Sequence, residues 1–453
     1  MPVKPKAQAT GFDLTQHFAD QMGAMLGPNF PTDIGLAVSG GGDSMVMMQL
    51  AADWARVFGV RLWVATVDHG LRPESAAEAE MVKAEATEMG LPHTTLNWTG
   101  WNGRGNLQDA ARQARIDLLS SWRGNCCHVL MGHTQDDQAE TVIMRLARGS
   151  GVEGLAAIRQ RREIRSSATQ IQLGKGEMSP EGPPWPEDAG DTWEVLRPLL
   201  NVGRAQLRHY AKTLRVPFVD DPSNDDPAYA RVRARKLIAE MDVDQATLAA
   251  TATRMSRATE ALQRRAFDVA SQLLLDDPRL PGCVILDRDG FAKIEIDTQL
   301  RLLAGALQYV ASAAYRPRSE PLEAALDTVL SGGVATLGGV VLTAQGSRIF
   351  VAREPNALSG ISAQIDPDAL WDQRWLITGD VVTGMQVRAL GEAGLLEVPY
   401  EIRKGAPRLA LASLPAIWDG DVLFACIPCG IGPDYVMNLA PKAGNFPSSL
   451  LTH

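Results

Sequence analysis

Ile34-Gly35-Leu36-Ala37-Val38-Ser39-Gly40-Gly41-Gly42-Asp43-Ser44 runs from a short apolar segment straight into a serine, three glycines, a carboxylate and a second serine. Beyond it Met47, Leu50, Ala51 and Trp54 recur at i, i+3, i+4 and i+7, the stripe of an amphipathic helix. A buried strand, a glycine loop and a helix in that order put the loop at the mouth of an α/β unit. Glycines there permit positive φ and let the backbone close on a polyanion. The leading N–H groups of the helix, with no carbonyl a turn earlier to bond, then point at phosphate oxygens. Ser39 and Ser44 add hydroxyl donors, and Asp43 is placed to hold a Mg²⁺ that bridges phosphates. The loop lacks the lysine of a Walker A motif and is not G-x-G-x-x-G. The alternative reading is a tight strand-to-helix turn capped by Asp43 or Ser44, which leaves three successive glycines unexplained.

Working outward, the same alternation continues. Leu62–Val67 reads as a second strand and Pro73–Met89 as a helix; Leu91–Leu96, Asn106–Trp122, His128–Met131 and Gln138–Arg148 follow as strand, helix, strand, helix. This predicts an α/β domain with a doubly wound parallel sheet and flanking helices. From Ser166 to Asp191 the pattern lapses into Gly174-Lys175-Gly176 and Pro183-Pro184-Trp185-Pro186, which predicts a long polar loop. After Arg197-Pro198-Leu199-Leu200 a helix carries Leu207, Tyr210, Ala211 and Leu214 on one face. Asp220-Asp221-Pro222-Ser223-Asn224-Asp225-Asp226-Pro227 is all turn formers and reads as a boundary.

Leu248, Ala252, Met255, Thr259, Leu262, Ala266, Val269 and Leu273 then alternate spacings of four and three, a core stripe. Arg254, Arg257, Arg264 and Arg265 lie off that stripe and should face outward. From about Gly360 short apolar runs between Gly and Pro suggest strands. The expected organisation is a nucleotide-binding, catalytic domain over 1–225, a mainly helical domain over 226–355, and a small α/β or β domain over 356–453.

Composition narrows the function. The 453 residues are 45% hydrophobic, enough for more than one core. With a mean hydropathy of -0.09, no apolar run reaches the length of about 18 that spans a bilayer. The opening MPVKPKAQATGF has no apolar core of a secretory signal, and five cysteines do not make a disulfide framework. A soluble, cytoplasmic protein with no membrane partner is expected. A net charge of -9 excludes nucleic-acid binding by bulk positive charge but not by a local face. The cations are mostly arginine and they cluster, at 145–165 and again at Arg231, Arg233, Arg235, Lys236, Arg254, Arg257, Arg264 and Arg265. Cys126-Cys127 reads as buried thiol within a strand. Cys426-Ile427-Pro428-Cys429 is a single C-x-x-C, a weak metal or redox signal.

A second polar stretch complements the glycine loop. Asp137 and Glu140 are three apart on a helix, so their carboxylates share a face near its N-terminus. Such a pair suits the ammonium groups of a free amino acid; a capping box from Thr134 and Asp137 is the structural alternative. His133, at the end of a buried strand, lies where open α/β sheets bind ligands and could bond a developing oxyanion or a phosphate. Asp68 and His69, at the end of the second strand, lie where a base or ribose would rest.

Ser39 to Ser44 resembles the SGGxDS signature of the PP-loop ATP pyrophosphatases, which split ATP to AMP and pyrophosphate. Three further stretches are similar, in order, to the tRNA(Ile)-lysidine synthase family. They are Val67-Asp68-His69-Gly70-Leu71-Arg72; Gly132-His133-Thr134-Gln135-Asp136-Asp137-Gln138-Ala139-Glu140-Thr141 with Arg145 and Arg148-Gly149-Ser150-Gly151; and Arg197-Pro198-Leu199-Leu200 with Asp221-Pro222-Ser223-Asn224, Tyr229, Arg231 and Arg235.

The likeness covers about the first 240 residues. The family usually shows R-N-x-I-R where this chain has Arg231-Val232-Arg233-Ala234-Arg235, so Val232 replaces the asparagine. Ile116 stands where an aromatic is common. The resemblance implies ATP and Mg²⁺, free lysine, and an isoleucine tRNA with a CAU anticodon. It implies ATP binding by Ser39, Gly40, Gly41, Gly42, Asp43, Ser44, Asp68 and His69, and metal binding by Asp43. Asp137 and Glu140 would bind lysine; His133, Asp137, Glu140 and Asp43 would carry catalysis. Arg231, Arg235, Arg254, Arg257 and Arg264 would contact tRNA. Oligomeric state stays open, a homodimer among the options, and so does the general base among His133, Asp136, Asp137 and Glu140. The alternatives are another PP-loop tRNA-modifying enzyme, such as a thiolase, and a tRNA-binding protein with a degenerate ATP site.

Overall fold

The computed structural model describes residues 12–71, 73–101, 103, 105–176, 182–187, 190–219, 230–313, 315–364, 370–378, 385–433, 435–440 and 444–451. The chain divides into two compact units, 1–259 and 260–453.

In the first unit the order is α1 (Leu14–Leu26), β1 (Asp33–Ala37), α2 (Gly42–Phe58), β2 (Arg61–Asp68), α3 (Ser75–Glu88), β3 (His93–Asn97), α4 (Leu107–Trp122), β4 (His128–Met131) and α5 (Gln135–Leu146). It continues with α6 (Val152–Leu155), β5 (Arg161–Arg165), α7 (Ala168–Gly176), β6 (Thr192–Leu196), α8 (Arg204–Leu214), α9 (Ala230–Glu240) and α10 (Gln245–Leu273). The boundary between the units falls inside α10.

The six strands form one sheet in the order β3-β2-β1-β4-β6-β5, parallel except for β5, which pairs antiparallel with β6. Leu130 and its neighbours Val129 and Met131 in β4 face opposite sides, as strand geometry requires. Leu130, Ile34, Leu36, Leu62 and Val64 pack under α1, α2 and α8, whereas Val129, Met131 and Val195 pack with Leu119 and Trp122 of α4 and with Trp193. Two buried faces make the sheet doubly wound. Because β1 is flanked by β2 and β4, the chain reverses direction across the sheet between β1 and β4. The C-terminal ends of those two strands bound a crevice, the place where such sheets bind ligands. The glycine loop follows β1 and the acidic stretch follows β4.

Two local expectations are corrected. Residues 166–191 are not all loop, since α7 lies within them. Gln170 N donates to Ser167 Oγ at 3.2 Å and Ser167 N donates to Gln170 Oε1 at 2.7 Å, a reciprocal cap at the helix start. Gln170 Nε2 then bonds Asp117 of α4 at 2.8 Å. Cys126 and Cys127 precede β4 rather than lying in it, and only Cys126 is buried. The turn-forming run 220–227 and Tyr229 lie outside the described residues.

The second unit carries β7 (Leu274–Leu275), β8 (Val284–Asp287), α11 (Arg288–Phe291), α12 (Ile296–Ala311), α13 (Ser319–Leu330), β9 (Val334–Leu337), β10 (Val340–Gln345) and β11 (Arg348–Arg353). Its antiparallel sheet runs β7-β8-β11-β10-β9, an element the helical reading of this stretch does not include. Leu302, Leu326, Val340 and Val351 fill one face of it, and Ile285, Val341, Phe350 and Leu390 the other. Short strands follow: β12 (Ala363–Gln364), β13 (Leu370–Trp371), β14 (Trp375–Thr378), β15 (Gln386–Ala389), β16 (Pro415–Asp419), β17 (Val422–Ala425) and β18 (Val436–Leu439). They make a four-stranded sheet, β12-β15-β16-β17, and a three-stranded one, β13-β14-β18.

Candidate active site

The glycine loop is held from both sides. Ser44 Oγ donates to Gly41 O at 2.9 Å and accepts from Ser39 N at 3.1 Å, so the two serines clasp the loop across its glycines. Gly40 adopts φ +82°, open to glycine and disfavoured for other residues. Its carbonyl accepts from Val219 N at 3.0 Å. Gly41 is the N-cap of α2 and offers no side-chain cap; the helix mouth is left to its N–H groups and to Asp43 in the first turn. Gly132, just beyond β4, closes the floor. A Cβ there would stand 2.9 Å from Ser44 Cα and 3.1 Å from Ser44 N, so only glycine lets the two switch-point segments touch.

The acidic stretch heads α5, and the capping box that was its structural alternative is present. Thr134 N and Thr134 Oγ1 each donate to Asp137 Oδ2 at 2.9 Å, completing a capping box. That leaves Asp137 Oδ1 facing the site. Glu140 is buried beside it, with Oε2 enclosed and without a partner.

Between the loop and these carboxylates stands Arg204, which sequence reasoning missed. Its Nε donates to Asp43 Oδ2 at 3.0 Å, and its terminal nitrogens lie 3.5 Å from Asp137 Oδ1 and 3.5 Å from Glu140 Oε1. Its backbone N–H bonds Asp136 Oδ2 at 2.7 Å, so Asp136 fixes the start of α8. The signal available in the sequence was a cation in the first turn of an amphipathic helix, where the helix dipole disfavours it.

Arg231 and Arg235, expected on an RNA-facing helix, turn into the same cluster. Ala234 and Ile238 of α9 pack on Ala139 and Ile143 of α5, and residues one position away on each helix therefore meet. Arg235 Nη2 pairs with Glu140 Oε1 at 2.9 Å, and Arg231 lies 3.8 Å from Asp137. Arg254, Arg257 and Arg264 of α10 are exposed as expected.

Burial pushes the His133 imidazole down to about 3, and the Arg197 guanidinium adds to the effect. Arg197 Nε donates to His133 Nδ1 at 3.2 Å, which puts the proton of the neutral ring on Nε2. His133 is thus a hydrogen-bond donor toward the crevice. Burial and Arg115 push His69 down to about 4 against the pull of Asp68; the ring packs edge-on to Trp98 with centroids 5.6 Å apart, and Nδ1 is buried without a partner. Asp68 accepts from Gly70 N at 2.8 Å and shapes that turn.

Burial raises Asp43 and Glu140 above the usual carboxylate range, against the arginines beside them. For Asp137 burial acts in the same sense, but Arg204, His133 and Arg231 outweigh it and hold the group low. Although burial opposes it, Asp137 and Asp43 hold Arg204 above its ordinary value.

No cluster of three or more metal-ligating side chains of the His, Cys, Asp or Glu type occurs among the described residues. Asp43 with two serine hydroxyls is an oxygen donor set that fits Mg²⁺, an ion usually held by one or two carboxylates plus substrate phosphates. Cys426 and Cys429 are both buried in the second unit.

Residues 14–241 match the model of a PP-loop domain. The chain is 38% identical to the tRNA(Ile)-lysidine synthase of Ruegeria pomeroyi over 97% of its own length and 98% of that protein. It belongs to the tRNA(Ile)-lysidine synthase family.

The corresponding protein of Bradyrhizobium diazoefficiens is 37% identical over 71% of this chain and 89% of its own. Among solved structures, a U34-tRNA thiolase from Methanococcus maripaludis aligns at 17% identity over 54% of this chain and 78% of that one, with a TM-score of 0.39. Family membership makes the chain an ATP-using, tRNA-modifying ligase and disfavours the thiolase and binding-protein readings.

Proposed function

We propose that this protein joins free lysine to position 2 of the wobble cytidine of an isoleucine tRNA with a CAU anticodon. ATP is consumed to AMP and pyrophosphate. The observation that carries the proposal is the facing of a phosphate-type loop, Ser39 to Ser44, and a buried carboxylate pair, Asp137 and Glu140, across the β1/β4 crevice.

In the first step O2 of the cytosine attacks the α-phosphorus of ATP and pyrophosphate leaves. The chain binds the phosphates through the N–H groups of α2 and the loop hydroxyls, and His133 Nε2–H stabilises negative charge developing on the oxygens of the α-phosphate. Mg²⁺, when bound with the nucleotide, would rest on Asp43 and neutralise phosphate charge. In the second step the ε-amine of lysine attacks C2 and AMP departs. Asp137 Oδ1 and Glu140 hold the cationic amino acid. Glu140, raised by burial and with a free Oε2, is the group to take the proton as the amine becomes a nucleophile. Most of the rate enhancement is positioning of three substrates in one crevice.

The allocation of 1–225 to catalysis and of 226–355 and 356–453 to tRNA contact belongs to the same proposal, as do the roles of Arg254, Arg257 and Arg264 and a cytoplasmic location. In support of the location, no described helix is long and apolar enough to cross a membrane.

The test is one incubation of the purified protein with Mg-ATP, labelled lysine and the CAU transcript, with a U-for-C wobble transcript as control. Label in precipitated tRNA together with AMP, only with cytidine at the wobble position, is the expected result. AMP without label would point to another acceptor, and neither product would sink the proposal.

A further inference from the structure

The second unit contains a small cavity whose wall carries more positive than negative charge. The three-residue turn Asp372-Gln373-Arg374 joins β13 to β14, with Asp372 at φ +48° and Gln373 at φ +56°, a strained backbone for two non-glycine residues. That turn drives Arg374 inward until it is only 2% exposed. Nη2 of Arg374 donates to Gly282 O at 2.5 Å, its guanidinium lies 5.9 Å from the Tyr309 ring centroid, and its Nε is buried with no acceptor. The carboxylate lining the space is already committed, for Arg353 Nε and Nη2 each bond Asp372 at 2.9 Å.

Gly282, Cys283, Arg353, Asp372, Arg374 and Trp375 are among the lining residues. The cavity has room for about one water-sized guest. Burial pushes the Cys283 thiol up to about 12, so it supplies no charge at neutral pH. Two guanidinium groups thus face one carboxylate among the described residues, and an unneutralised buried charge is costly.

We propose that this cavity is a binding site for a small monovalent anion of halide size, held by Arg374 Nε and balancing the surplus guanidinium. A water would supply an acceptor but no charge, and a tetrahedral oxyanion is too large. The site lies where the five-stranded sheet (Arg353), the turn leading into β8 (Gly282), the three-stranded sheet (Trp375) and the start of β16 (Pro415) meet. Occupancy therefore stabilises the second unit rather than the catalytic one.

The experiment is thermal unfolding of the full chain in potassium chloride and potassium bromide against potassium glutamate and potassium sulfate at matched ionic strength. It is paired with anomalous diffraction from bromide-grown crystals. A saturable rise in melting temperature of about 2–4 °C, confined to the halides, is expected. Arg374→Met should abolish it, and bromide should give an anomalous peak beside Arg374. Equal melting in all four salts, a halide effect retained by Arg374→Met, or a bromide map with no peak there would each overturn the proposal. Should Arg374→Met fail to fold, the map of the unaltered protein decides alone.

Discussion

Arg204 reaches Asp43 at 3.0 Å across 161 residues of chain, and the same guanidinium serves Asp137 and Glu140. A cation thus sits at the centre of the carboxylates proposed to receive lysine and Mg²⁺. Arg204→Met should lower AMP formation by about 10²-fold. It should also lower the melting temperature at neutral pH, since Asp43 would lose its partner and Asp137 and Glu140 would keep only Arg231 and Arg235 as counter-charges. Asp43 and Glu140 already have raised values, so that loss should shrink on acidification. A melting deficit that stays constant from pH 7 to pH 5 would contradict the account.

Glu140 and Asp137 should separate in their consequences. Asp137 Oδ2 caps α5, so Asp137→Ala removes a cap, worth about 0.5–2 kcal/mol, as well as a carboxylate proposed to hold lysine. Glu140→Gln keeps the shape but removes the charge and the proton acceptor, and should raise the lysine KM about 10-fold or more and lower kcat, with little change in the ATP KM. Steady-state kinetics varying each substrate in turn, alongside melting curves, distinguishes the two.

Gly132→Ala would place a methyl against backbone atoms of Ser44. Neither partner is a flexible side chain, so the loop must shift. Overpacking of this kind costs about 1–3 kcal/mol, equivalent to roughly 10-fold in the ATP KM, with the lysine KM nearly unchanged. An ATP KM equal to that of the parent would show that the loop tolerates the displacement.

His69 and His133 set a pH dependence of stability. Their folded values, about 4 and about 3, lie below the ordinary 6.5, so the unfolded chain binds more protons at moderately acid pH. Stability from these groups is complete above about 6.5 and is lost as pH falls toward 4 and then 3. His133→Asn should flatten the decline between pH 6.5 and 4. Urea unfolding at half-unit steps measures it.

Arg254→Glu, Arg257→Glu and Arg264→Glu, introduced together, should weaken tRNA binding and flatten its dependence on salt. The logarithmic slope should fall by about 0.7–0.9 for each phosphate that the protein ceases to neutralise. Unchanged binding would remove α10 from the RNA surface. AMP formation from ATP at saturating tRNA should be little altered.

The sheet was legible because its strands are continuous apolar runs and its helices carry clean stripes. The glycine loop and the Asp137–Glu140 pair were legible because they are contiguous. Arg204 was not, since its meaning depends on α8 docking by way of Leu199 and Val202, which no local pattern reveals. The inward turn of Arg231 and Arg235 was hidden likewise, because a helix with arginine at every second position does not say which of them its partner will bury. Helix α7 was masked by its glycines, though Ser167 and Gln170 carry a capping signature. The sheet β7-β8-β11-β10-β9 was signalled by Val284-Ile285-Leu286 and Ile349-Phe350-Val351, which a helical expectation for the region passed over.

The central position of β1 bears on how the protein matures. The nucleotide loop leaves the ribosome early, but its floor, Gly132, and its counter-charge, Arg204, belong to segments synthesised later. Domains assemble as units once their chain is available. A nascent or truncated chain ending before α8 would therefore carry the phosphate loop, its floor and the carboxylates Asp43, Asp137 and Glu140 without Arg204, the cation that holds the three together.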